Sequence, residues 1–154
     1  MDEPTSDLDM TQLNTVAATC FCMNIRKASR VITQLYDEAL KPSGLLVSQF
    51  TLLVALASVG SITMTQLAEA LVMDRTTLTR NLKPLEREGL VRIESGQDQR
   101  TRVLSLTNAG QTALEKALPL WQEVQIQVVE RLGQEQWKLL LTGLLNTVSL
   151  TELT

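Results

Sequence analysis

Between Thr63 and Leu106 the spacing of apolar residues changes from helical to alternating, and that change restricts what the middle of this chain can fold into. Thr63-Met64-Thr65-Gln66 matches a capping box, in which a threonine hydroxyl and a glutamine side chain each satisfy a backbone amide left open where a helix starts. Leu67, Ala68 and Leu71 follow at helical spacing and predict a short helix with one inward face. After Val72-Met73, Asp74 offers a second N-cap, and Leu78, Leu82 and Leu85 mark the apolar stripe of another helix that ends near Glu88-Gly89. Leu90 to Glu94 then alternates, Ser95-Gly96-Gln97-Asp98-Gln99 turns, and Arg102 to Leu106 alternates again. Two short helices joined by a tight turn, then strand, polar tip and strand, predict a helix-turn-helix followed by a two-stranded β wing.

The flanks predict helices. Leu13, Val16, Ala17 and Cys20, then Ala28, Val31, Ile32, Leu35 and Ala39, predict one long first helix from Leu13 to Leu40, stopped by Lys41-Pro42-Ser43-Gly44. A second helix runs from Ser48, read as its N-cap, through Phe50, Leu53 and Leu56 to Gly60. Thr107 caps a long helix from Asn108 to Leu132, and Gly133 divides it from a last amphipathic helix carrying Trp137, Leu140, Leu141, Leu144, Leu145 and Val148. The fold class expected is mostly α, a winged helix-turn-helix with long N- and C-terminal dimerisation helices. Its parts are residues 1–46 (an acidic tail and the N-terminal dimerisation helix), 47–107 (the winged helix-turn-helix) and 108–154 (the C-terminal dimerisation helices). At 44% hydrophobic the chain can build a core without metal or disulfide, and its outer helices hold more apolar residues than a small winged domain needs. That surplus predicts a homodimer, with the terminal helices intertwined about a twofold axis.

The chain has no histidine, which removes imidazole metal ligands, the Ser-His and Cys-His nucleophile pairs and the usual physiological pH switch. Cys20 and Cys22 alone are too few soft ligands for a closed zinc site. No metal and no cofactor is expected, and no enzyme either; the one enzymic version that can be written is a thiol peroxidase using Cys22. The first seven residues, Met1 to Asp7, are acidic and polar, unlike a secretory leader. The most apolar window, Leu45 to Val59, is short and interrupted by Ser48, Gln49 and Thr51. A cytoplasmic protein with no membrane partner is the expectation.

Net charge is -3, yet the stretch from Asp74 to Arg102 holds seven basic residues against five acidic ones. On the helix capped by Asp74 the three leucines point inward, which turns Arg75, Thr76, Thr79, Arg80 and Lys83 outward, with Thr77 beside them. Arginine can take guanine O6 and N7 together, threonine offers a hydroxyl or a methyl to base edges, and lysine meets phosphate. Pro84 removes one hydrogen bond late in this helix and should bend or loosen the turn around Arg80. At the wing tip, Asp98 and Arg100 flank a turn, with Arg102 at the start of the second strand. A slender hairpin ending in arginine suits a narrow, electronegative minor groove, and Asp98 is placed to orient a nearby arginine. A solvated charged helix face and an ordinary polar hairpin are the bland alternatives. The order of elements, a capped short helix, this face and then a wing, favours double-stranded DNA as the partner.

Asp74-Arg75-Thr76-Thr77-Leu78-Thr79-Arg80, then Leu85-Glu86-Arg87-Glu88-Gly89-Leu90-Val91, then Asp98-Gln99-Arg100 closing into Leu104-Ser105-Leu106-Thr107, together resemble the MarR family of transcriptional regulators. In that family these segments are the recognition helix, the Leu-Glu-x-x-Gly-Leu junction, the Asp-x-Arg wing and a Leu-x-Leu-Thr strand end. The resemblance implies that Arg100 is the minor-groove residue, supported by Asp98. It also implies a repressor on a pseudo-palindromic operator, released by a small molecule or by thiol oxidation.

For the signal, Cys22 with Arg26 one turn on, and Tyr36 further along, resemble the peroxide-sensing branch of that family, although Tyr36 is the only tyrosine here where that branch uses more than one. Cys20 and Cys22 lie about 200° apart on an ideal helix, so their sulfurs could pair only if the helix starts later or unwinds. The bland reading is two small hydrophobes in a dimer helix. Trp121 and Trp137 could line a cavity for an aromatic effector, a role that core packing more often takes. A second class, a winged-helix protein-interaction module without DNA, is disfavoured by the outward Arg75, Arg80, Lys83 and Arg100, since protein interfaces deplete charge at their centres.

Overall fold

The computed structural model describes residues 8–153, so the acidic tail expected at Met1 to Asp7 lies outside the described residues. The chain divides into two compact units, residues 1–35 and 36–154. The first unit holds α1 (Met10–Thr19) and most of α2 (Phe21–Leu40). The single helix expected from Leu13 to Leu40 is therefore two. Cys20 adopts an extended backbone, φ -61° and ψ 110°. The Asn24 side chain stabilises the break by donating to the carbonyls of Cys20 (2.9 Å) and Ala18 (3.3 Å), an alternative to the helical ladder that a short polar side chain can supply.

In the second unit α3 (Val47–Val59) starts one residue before Ser48. Two other side chains take up its open amides: Gln49 Oε1 accepts from Leu46 N at 2.9 Å and Asp37 Oδ1 from Val47 N at 2.7 Å. Next come β1 (Ser61–Thr63), α4 (Met64–Ala70), α5 (Arg75–Arg87), β2 (Val91–Ser95), β3 (Arg102–Leu106), α6 (Asn108–Leu132) and α7 (Gln134–Val148), closed by a 3-10 turn at Ser149–Leu153. The expected two-stranded wing is the larger part of a three-stranded antiparallel sheet in the order β1-β3-β2. Ile62 and Ile93 pair with Leu104 from opposite sides.

The core of this unit forms where α3, α4 and α5 meet the sheet and the first half of α6. Leu53, Leu56, Leu67, Leu78, Leu85 and Leu104 are fully buried there. Phe50 stacks on Trp121, centroids 6.2 Å apart, which makes Trp121 a packing residue. A smaller cluster joins Tyr36, Val124 and Val128. Tyr36 donates its hydroxyl to Gln125 Oε1 at 2.6 Å, and burial raises the pKa of the phenol. Among the described residues no single helix is long and apolar enough to cross a membrane.

The turn between α4 and α5 holds Val72 at φ 50°, left-handed backbone that costs an L-residue about 1–2 kcal/mol. Its side chain is 56% exposed and so little packing offsets that cost. Val72→Gly is expected to raise stability by about 0.5 kcal/mol, after subtracting glycine's extra chain entropy. A rise in the urea midpoint at unchanged slope checks this, and a fall would mean that Val72 packing outweighs the strain.

Candidate nucleic-acid interface

Asp74 organises the start of α5. Its Oδ1 accepts from Thr77 N at 2.8 Å and its Oδ2 from the Thr77 hydroxyl at 2.6 Å. These bonds, the one from the hydroxyl foremost, hold the carboxyl below the usual carboxylate range. The cap is thus present at neutral pH and is lost as pH falls through that lowered value. Asn81 Nδ2 reaches Met73 Sδ at 3.8 Å and ties the helix back to the preceding turn, an interaction that helical periodicity alone does not reveal.

Leu78, Leu82 and Leu85 are buried as expected, and Arg75, Thr76, Thr79, Arg80 and Lys83 are exposed. Thr77 is half-buried, with hydroxyl and amide both committed to Asp74. The helix continues through Pro84 to Arg87. Arg75, Arg80, Lys83, Arg87 and Arg100 form no ion pair among the described residues, where the pairs are Lys41–Glu38, Arg92–Glu94 and Lys138–Glu135. Unpaired cations concentrated on one helix face and a neighbouring hairpin make a surface suited to a polyanion.

The wing tip closes through Gly96 N to the Thr101 carbonyl and Thr101 N to the Asp98 carbonyl, each 2.8 Å. Asp98 Oδ1 accepts from the backbone amide of Arg100 at 3.0 Å, so it fixes the turn that carries Arg100 through the backbone and not through the guanidinium. Arg102 donates from a guanidinium nitrogen to Ser95 Oγ across the hairpin at 3.4 Å. Thr107 anchors the wing to α6: its hydroxyl donates to the Gly89 carbonyl at 2.6 Å and accepts from Gly110 N at 3.0 Å.

In the first unit, Cys22 is exposed and Cys20 half-buried, both as free thiols, and Arg26 is exposed one turn beyond Cys22. Because the chain breaks at Cys20, the two cysteines do not share one continuous helix, and the angular separation expected for an ideal helix does not apply to them. Tyr36 belongs to the second unit, bonded to Gln125. No group of three or more Cys, Asp or Glu side chains is placed to hold a metal ion among the described residues.

A model of the MarR family matches residues 43–101. An HTH-type transcriptional regulator of Bacillus cereus is 35% identical over 106 residues, 69% of this chain and 70% of its own length. The organic hydroperoxide resistance transcriptional regulator of Bacillus subtilis is 32% identical over 100 residues, 64% of this chain and 68% of that one. Among solved structures, the transcriptional regulator MosR of M. tuberculosis in complex with DNA is 41% identical, with a TM-score of 0.79 over 86% of this chain and 96% of that one. A mutant MarR of E. coli in complex with operator DNA, at 24% identity, has a TM-score of 0.77 over 92% and 99% of the two chains, a likeness of fold. These relatives are regulators rather than enzymes, and the thiol peroxidase reading goes no further.

Proposed function

The chain belongs to the MarR family of DNA-binding transcriptional regulators, and from that membership we propose that it acts as a homodimeric repressor on a pseudo-palindromic operator. The observation that carries the DNA-binding part of this reading is the set of cations on α5 and the wing that form no ion pair among the described residues. In it, residues 47–107 bind DNA. Arg75, Thr76, Thr79, Arg80 and Lys83 of α5 face the major groove, Thr77 and Asp98 hold their elements in shape, and Arg100 with Arg102 follows the minor groove.

Residues 1–46 and 108–154 supply the dimer. α7 is 15 residues long and buries none of its side chains, leaving Leu139, Leu140, Leu144 and Leu145 exposed. A helix of that length holds in water mainly by packing an apolar face, and a second copy of the chain is the partner that supplies the packing. Leu13, Val16, Phe21 and Val31 are likewise exposed on α1 and α2.

Release from DNA is assigned to oxidation at Cys20 and Cys22, supported by the exposure of Cys22 and by the similarity to an organic hydroperoxide resistance regulator. The oxidised state must favour the geometry that does not fit DNA, since a signal shifts a conformational equilibrium only by its differential preference for one state. The test is a binding titration on DNA from upstream of the protein's own gene, at two salt concentrations, reduced and peroxide-treated, with wild type and Cys22→Ser. Specific binding that oxidation abolishes in wild type but not in Cys22→Ser is the expected result. Binding indifferent to peroxide would transfer release to a small-molecule effector. Absence of sequence-specific binding, on this DNA or on any duplex selected from a random pool, would overturn the DNA assignment of α5 and the wing.

A further inference from the structure

We propose that Thr79 reads a thymine through its γ-methyl group, an inference resting on the reading that α5 enters the major groove. Three threonines stand in the first half of α5, and their hydroxyls are used differently. Thr77 donates to Asp74 Oδ2 at 2.6 Å and is a positioning residue. Thr79 donates to the backbone carbonyl of Arg75, one turn back, at 2.7 Å. The Thr76 hydroxyl has no partner among the described residues.

A hydroxyl has one proton to give. With that proton on the Arg75 carbonyl, Thr79 has no donor for guanine O6 or N7 or for thymine O4. The oxygen is tied to the helix backbone and retains only acceptor capacity, for adenine N6 or cytosine N4, whereas the methyl is the branch that can make an apolar contact. Of the groups that base pairs display in the major groove, the thymine C5-methyl is the one that an apolar side-chain branch matches. Thr79 is exposed, one turn after Arg75 and adjacent to Arg80, within the N-terminal half of a recognition helix that meets base edges. Hydrogen bonding and shape thus divide the work on this face: Arg80 and Thr76 can donate to bases, and Thr79 supplies an apolar surface.

The test uses a duplex selected from a random-sequence pool by the wild-type protein, with each thymine replaced singly by deoxyuridine, which removes only the methyl. Wild type, Thr79→Val, Thr79→Ser and Arg80→Ala are titrated on each duplex, their folding checked by circular dichroism. One thymine in each half-site is expected to cost wild type about fourfold when replaced by uracil, the worth of one buried methylene. Thr79→Val keeps both the affinity and that penalty, and Thr79→Ser loses both. If Thr79→Ser retains the penalty while Thr79→Val loses affinity, the hydroxyl is the reader and the proposal falls. It falls equally if no uracil position separates wild type from Thr79→Ser. Should Arg80→Ala bind as wild type, or no duplex be selected, the groove reading itself fails and takes this inference with it. Loss of affinity in Arg80→Ala beside indifferent Thr79 variants sinks the methyl assignment alone.

Discussion

Gly110→Ala is expected to lower the stability of the protein by about 3 kcal/mol, in the upper range for forcing extra volume into a packed site. A Cβ built on Gly110 would stand 2.1 Å from the Leu90 carbonyl oxygen and 2.7 Å from Leu106 Cδ1. The first obstacle is backbone of the residue just before β2, which cannot rotate aside as a side chain does, so the first turn of α6 would have to withdraw. Withdrawal would strain the junction at which Thr107 donates to the Gly89 carbonyl at 2.6 Å, Thr107 N donates to the Leu90 carbonyl at 3.1 Å and Gly110 N donates to Thr107 Oγ1 at 3.0 Å. Gly110 is needed here for space, its backbone being ordinary helix. Urea unfolding of wild type and variant, at equal protein concentration because an oligomer's stability depends on it, measures the loss. An unchanged midpoint would show that α6 tolerates a wider approach to the wing.

Gly110 also marks the limit of what the amino-acid order discloses. Thr63, Asp74 and Thr107 are legible as helix starts because an N-cap acts within three residues of itself, and each makes the bond its residue type predicts. The inward leucines of α5 are legible because a fixed period selects one face. Three features depend on partners distant in sequence or on atomic detail. β1 has three residues, too few to display alternation, and exists through pairing with β3 some forty positions later. The start of α3 at Val47 is secured by Asp37 from the preceding helix, so local pattern favours Ser48 instead. The break at Cys20 carries no proline or glycine, and the Asn24 amide that bridges it looks, in sequence, like an ordinary polar helix residue. The candidate interface follows the same division. Periodicity identifies the outward residues of α5, and only the hydrogen bonds show that Thr77 and Thr79 have already committed their hydroxyl protons.

Removal of single cations from the candidate interface is expected to separate specificity from general attraction. Arg80 is exposed, forms no ion pair among the described residues and lies near the middle of the outward face. Arg80→Ala should cost about 1–3 kcal/mol per half-site and relax the base preference at the position it meets. Two half-sites on one dimer double that cost. Lys83 is also exposed but carries a compact charge suited to phosphate. Lys83→Ala should weaken all sequences alike and reduce the slope of log K against log salt by about 0.9 for each phosphate that the lysine neutralises. Arg100 stands on a hairpin turn that Asp98 braces through the backbone, so its removal should leave the fold intact and weaken binding most on sites with a narrow, A·T-rich minor groove. Asp98→Ala removes the brace and not the arginine's charge, and should weaken the same sites to a smaller degree. Titrations of the four variants on a selected operator and on an unrelated duplex, each at several salt concentrations, distinguish these effects. A uniform drop in the three cation variants on both duplexes, with one common change in salt slope and no loss in Asp98→Ala, would mean that the surface attracts DNA by charge alone and that neither the helix nor the wing reads sequence.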